Sequence, residues 1–152
     1  FDKNCLEAHN EYRKRHGAKE MTWSASLAAD AQKWADKLSQ TDAFKHDYAS
    51  INSKSQGENL AYFTPQKPNN TAIMDAFDAW YDESSKYDYA NAKFSKETGH
   101  FTQLVWKATQ KMGIGTAKNA KGDKEYVVAR FSPAGNIKGQ FADNVLPSIV
   151  NK

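Results

Sequence analysis

In Gly99-His100-Phe101-Thr102-Gln103-Leu104-Val105-Trp106 a histidine is followed by Phe101, Leu104 and Val105 at helical intervals. The spacing predicts a short helical run over 100–107 whose apolar members are buried, leaving His100 as a polar group presented by a packed scaffold. Just upstream, a helix begins near Thr71 with Ile73, Phe77, Trp80 and Tyr81 on one face. Glu83, three residues beyond Trp80, falls beside that buried edge. Downstream, Gly113-Ile114-Gly115-Thr116 and Glu125-Tyr126-Val127-Val128-Ala129-Arg130-Phe131 read as strands joined by a turn at Asn119 to Asp123, and Pro133 and Gly135 end the second.

Further out, residues 2–16 carry Cys5, His9 and Tyr12 at helical spacing, and Gly17 stands where a left-handed C-cap residue belongs. Ser24 is placed to N-cap a second helix with Leu27, Ala31, Trp34 and Leu38 as its core stripe. Residues 41–56 are polar and aperiodic, a surface connection carrying His46, and Gly57 to Phe63 form a short strand. Pro65 and Pro68 exclude regular structure from the loop Thr64 to Asn70. Early helices, a late hairpin and one core predict an α+β fold, with residues 1–152 as a single domain.

Composition narrows the function. A chain of 152 residues buries roughly 70% of its unfolded surface, so disulfides are not needed for folding. With 21 Lys and Arg against 18 Asp and Glu, the net charge of +3 is spread along the chain, and nucleic acid is not an expected partner. The densest basic group, Arg13-Lys14-Arg15-His16 with Lys19, falls at the end of the first helix, where cations suit the carbonyl end of the dipole. A patch for anionic lipid is the alternative reading of the same residues. Apolar runs such as Leu60-Ala61-Tyr62-Phe63 are far shorter than the ~20 residues of a membrane-spanning helix. Cys5 is the single cysteine, which favours a reducing compartment, and it reads as a small apolar residue of the first helix. Asn69-Asn70-Thr71 is a formal glycosylation sequon of little weight. The chain starts at Phe1, leaving an upstream secretory or lipidation signal open.

Of the four histidines, His9 reads as a hydrogen-bonded helix residue and His16 as a charge-favoured helix-end residue. His46 and His100 remain as candidates for chemistry. Neutral imidazole is a ligand for zinc, copper or nickel, and carboxylates either join the metal shell or orient its water, so Glu58 and Glu83 are the natural companions. Their spacings match no local metal motif, and no Gly-x-Ser-x-Gly elbow, His-Glu-x-x-His helix or phosphate loop is present.

Taken together, the segment around His100, Gly57-Glu58-Asn59-Leu60 and Trp80-Tyr81-Asp82-Glu83 resemble the CAP superfamily of cysteine-rich secretory, antigen 5 and pathogenesis-related proteins. The strand and Gly-Asn ending of Val127 to Asn136 also match a family signature, with Ala129 and Phe131 where cysteine and tyrosine are usual. With Asp143-Asn144-Val145-Leu146-Pro147, they point to a low-cysteine, Golgi-associated branch. The resemblance implies a three-layer α-β-α sandwich around an antiparallel sheet. It also implies that His46, Glu58, Glu83 and His100 converge in one surface cleft, with zinc held weakly on His46 and His100.

Three functions follow as expectations. The first is a non-catalytic module that meets lipids or an anionic membrane surface, such as the cytoplasmic face of the Golgi, with Arg13, Lys14, Arg15, Tyr62 and Phe63 as contacts and a sterol or fatty acid as a ligand the resemblance allows. Secretion is the alternative location. The second is a metal-dependent hydrolase with Glu58 or Glu83 as general base. The third is a regulatory protein acting through protein contacts, including a homodimer.

Overall fold

Behind Ser24, whose hydroxyl accepts the Leu27 N–H, the stripe Leu27, Ala31, Ala35 and Leu38 builds α2 (Ala25–Thr41) and buries it against a sheet. The computed structural model describes residues 2–64 and 71–149. The remaining elements are α1 (Asp2–Arg15), β1 (Thr22–Trp23), α3 (Tyr48–Lys54), β2 (Gly57–Phe63), α4 (Thr71–Asp82), α5 (Gly99–Leu104), β3 (Lys111–Lys118), β4 (Glu125–Ser132) and α6 (Phe141–Asn144). Two 3-10 turns, Glu83–Lys86 and Tyr89–Asn91, follow α4. Gly17 takes a left-handed φ of +69° just beyond α1, as the cap pattern requires.

The sheet order is β1-β3-β4-β2. Helix α2 packs on β3 and β4, while α1, α4 and α5 contact β2 and β3 from the other face, so the architecture is the expected three-layer sandwich. Alternation along β4 feeds both layers. Val127, Ala129 and Phe131 join the larger core with Phe77, Trp80 and Phe101, and Tyr126 and Val128 join the smaller one under α2 with Leu38 and Leu60. Arg130 therefore emerges on the α2 side. The register sets Glu58 directly opposite it, because Leu60 pairs Val128 and Glu58 pairs Arg130.

Several expectations need correction. The two-residue β1 runs parallel to β3, so the sheet is antiparallel only over β3, β4 and β2. The connection over 41–56 contains α3, invisible to periodicity because none of its residues is buried. Its ends make it instead: the Asp47 carboxylate accepts the Ser50 N–H, and Ser55 closes it with φ +54°. His16 is no exposed helix-end cation. It is buried, donates from Nδ1 to Leu146 O at 2.8 Å, accepts from the Tyr81 hydroxyl at Nε2, and burial holds it below the usual imidazole range. Cys5 is buried in the larger core. The sequon asparagines and Pro65 to Asn70 lie outside the described residues.

Gly113 and Gly115 explain how α2 sits so close. A Cβ on either would collide with α2 backbone, at Ala28 and Gln32 respectively, and backbone cannot step aside as a flexible side chain can. Gly115→Ala should therefore destabilise the fold by about 1–3 kcal/mol, the range for overpacking, measured as a lowered urea midpoint.

His9 generates a pH dependence. Its ring is fully buried against Phe77, donates from Nδ1 to Cys5 O at 2.9 Å, and burial lowers its pKa to about 4. Above the unfolded value of about 6.5 both states are neutral there and the full stability is present. As pH falls toward 4, only the unfolded chain takes up the proton, so stability declines by on the order of 3 kcal/mol. His16 acts in the same direction. Urea denaturation across this window should show the decline, and a His9→Gln variant should show less of it.

Candidate functional site

Glu58 anchors the first half of the site. Its side chain is completely buried on β2, and the opposite strand supplies its counter-charge: Arg130 Nε donates to Glu58 Oε2 at 2.7 Å. The remaining guanidinium nitrogens reach Gln56 Oε1 at 2.9 Å, Ser50 Oγ at 3.3 Å and Asp47 Oδ2 at 3.4 Å, so the buried cation has partners on every side. Glu58 Oε1 accepts the His46 Nδ1–H at 2.8 Å and the Asp47 N–H at 3.2 Å. His46 rides on a segment pinned by the Trp34 indole, which donates to Lys45 O at 2.9 Å.

The second half is built from helix capping. Thr98 precedes α5 without a side-chain cap, and Glu83 does that work from across the fold: its Oε1 accepts the N–H groups of His100 at 3.0 Å and Phe101 at 3.1 Å. Its Oε2 accepts the His100 Nδ1–H at 2.7 Å. The imidazole stacks on Trp80 with a 13° interplanar angle, and the Trp80 indole in turn donates to Leu60 O at 3.2 Å. Sheet and helix thus reach the same chemical result. In each pair the carboxylate fixes the tautomer, so Nδ1 carries the proton and Nε2 keeps its lone pair.

His46, Glu58 and His100 line one open cavity of about 580 Å³, together with Tyr48, Phe94 and Lys96. Glu83 does not reach its wall and stands behind His100, which corrects the expected four-residue lining. Below them Gln103 forms the floor, pinched between Gly57 and Gly135: a Cβ on Gly57 would collide with its amide, and its Oε1 accepts the Gly135 N–H at 2.8 Å. Among the described residues no three His, Cys, Asp or Glu side chains are arranged to hold a metal ion together. Both glutamates spend their oxygens on protein donors, so the donor set open to zinc is the two imidazole Nε2 atoms, short of the three ligands usual at catalytic zinc.

The expected lipid contacts separate. Arg13 is withdrawn: it is 0% exposed, and its guanidinium donates to the carbonyls of Lys19 at 2.8 Å, Leu104 at 3.2 Å, Trp106 at 2.9 Å and Thr109 at 2.8 Å. Burial lowers its pKa to about 10. Lys14 and Lys19 are exposed, and Arg15 lies over the rings of Tyr12 and Tyr81 at 5.6 and 5.5 Å. Tyr62 is half exposed and packs edge-on against exposed Phe44, whereas Phe63 is partly buried against the larger core. Sequence reading missed Arg130, the role of Gln103, and the cleft aromatics Tyr48 and Phe94. Arg130 had one signal, a charge inside an apolar strand, but only the β2–β4 register shows what it meets.

A family model described as "CAP: Cysteine-rich secretory protein family" matches residues 6–131. The chain is 39% identical over 149 residues to the human Golgi-associated plant pathogenesis-related protein 1, covering 97% of this chain and 93% of the relative. It is 37% identical to protein PRY2 of Saccharomyces cerevisiae, and there spans 97% of this chain but 41% of the relative. Among solved structures, BmVAL-1 is similar with a TM-score of 0.74 at 24% identity, over 99% of this chain and 82% of that one. NaASP2 with Zn2+ is similar with a TM-score of 0.74 at 23% identity, over 96% and 84%. These two likenesses speak to the fold.

The buried pair at the heart of the site makes a quantitative prediction. Arg130→Met strands Glu58 as an uncompensated buried charge and should cost about 3–5 kcal/mol, as should Glu58→Leu in the reverse sense. The double variant should recover much of the loss, and a double-mutant cycle in urea measures that coupling.

Proposed function

The chain belongs to the cysteine-rich secretory protein (CAP) family, and on that premise we propose that it is a non-catalytic binding module whose cleft takes a divalent metal ion, zinc foremost, on His46 and His100 Nε2. The observation that carries this reading is the matched pair of Nδ1–H to carboxylate bonds at 2.8 and 2.7 Å, the arrangement that orients metal-bound histidines elsewhere. The NaASP2 relative, of the same fold, was solved with Zn2+. Water would complete a shell that has only two protein nitrogens, so affinity is modest. A hydrolase is less well supported: a general base needs a free carboxylate oxygen near the metal, and those of Glu58 and Glu83 are engaged by Arg130, His46, His100 and backbone N–H groups.

Calorimetric titration with zinc tests the reading. The parent should bind one ion per chain, His100→Ala and His46→Ala should each weaken binding about tenfold or more, and acidification should abolish it because protons compete for the same nitrogens. Equal affinity in the parent and the His46→Ala, His100→Ala double variant would remove the site.

Association with an acidic membrane is the companion proposal, favoured by Lys14, Arg15 and Lys19 at the end of α1 and in keeping with the Golgi-associated name of the human relative. Each exposed cation near such a surface contributes about 1 kcal/mol. Co-sedimentation with phosphatidylserine liposomes should therefore weaken with salt and on reversing Lys14 and Arg15 to glutamate, and His46→Ala should leave it unchanged.

A further inference from the structure

Beside the histidine cleft lies a second, smaller cavity of about 280 Å³, and the two share the walls Phe94 and Asn136. Phe141, buried against Trp106 and in ring contact with Phe94, underlies it, and its open wall is Phe94, 54% exposed. Asn136 fixes the boundary: its amide donates to Gly99 O at 3.0 Å and its carbonyl oxygen accepts the Thr102 hydroxyl, which ties the partition to the helix that carries His100. Lys93 and Lys138 stand at the rim of the small cavity and Lys96 in the cleft next door, all three exposed.

The charge on these walls is one-sided. Among the described residues Glu58 is the one carboxylate lining either cavity, and Arg130 already offsets it at 2.7 Å. Glu97, next to Lys96, is exposed but lines neither. Three lysines without carboxylate partners on the cavity walls call for an anionic occupant, while an aromatic-walled recess calls for an apolar one. At about 280 Å³ the recess is just below the size that takes a whole drug-sized ligand, and suits a single large side chain. Exposed Tyr48 also lines the cleft and gives it a second aromatic ring.

We propose that this double cavity is a docking groove for an acidic peptide segment, whose single large apolar side chain packs on Phe94 in the smaller recess while its carboxylates pair with Lys93, Lys96 and Lys138. An aromatic anchor in a pocket ringed by charge is how small peptide interfaces concentrate their binding energy. The groove needs no metal, so it stands apart from the zinc reading.

Fluorescence anisotropy with a fluorescein-labelled hexapeptide of acidic residues around one central tryptophan tests it, in EDTA so that metal binding plays no part. Saturable binding is expected, weakened about tenfold or more, a loss of roughly 1.4 kcal/mol, by Lys93→Glu with Lys138→Glu, by Phe94→Ala, or by glycine in place of the peptide's tryptophan. Lys124→Glu, remote from both cavities, should leave it unchanged. The proposal is overturned if the peptide fails to saturate, if the glycine peptide binds equally well, or if the lysine and Phe94 variants bind as the parent does. It is also overturned if decanoate fills the recess stoichiometrically while the peptide does not bind, which would give the pocket to a lipid carboxylate.

Discussion

A guanidinium buried among carbonyls holds the helical layer together. Among the described residues Arg13 makes no ion pair; its charge is met by the carbonyls of Lys19, Leu104, Trp106 and Thr109. Taking such a cation out of water is costly unless each donor finds an acceptor, and here the chain wraps around it until the acceptors are in place. The carbonyl of Leu104 belongs to the last residue of α5, at the helix end where a carbonyl has no N–H of its own helix to accept. One side chain of α1 thus caps the helix that carries His100 and binds it to the approach to β3. The position of the second histidine depends on an arginine on the far side of that helix.

The two histidines are oriented by unrelated means. His46 depends on a cross-strand ion pair within the sheet, and His100 on a carboxylate that caps a helix. Neither glutamate contacts the other histidine. The two halves are nevertheless tied through β2: the Asn59 side-chain amide donates to His100 O at 3.2 Å, and the Trp80 indole that stacks on His100 donates to Leu60 O.

What could be read in advance follows from whether a signal is local. The α+β class, the α2 stripe and the β4 strand rest on apolar periodicity and were legible in the residues themselves, whereas the sandwich and the meeting of Glu58 and His100 at one cleft were legible only through the family resemblance. Helix α3 was not, because it buries nothing and is made by its caps, Asp47 and Ser55. Arg13 was misread for the opposite reason. A cation in the last turn of a helix has a local explanation in the dipole, and the carbonyls that actually claim it lie some ninety positions away with no signature of their own. Arg130 shows the same limit: its residue type was visible, but its pairing required the strand register.

The cleft also divides into parts under very different constraint. Its floor is defined by side chains that are missing, since Gly57 and Gly135 leave only the space that Gln103 fills. Its rim, by contrast, is made of Tyr48 and Phe94, more than half exposed, and exposed Lys96. Substitution at the floor disturbs the fold, while substitution at the rim costs little stability. Across a family, such a division lets the base be inherited unchanged while the mouth drifts, so related proteins can diverge in what they hold without rebuilding how they hold it.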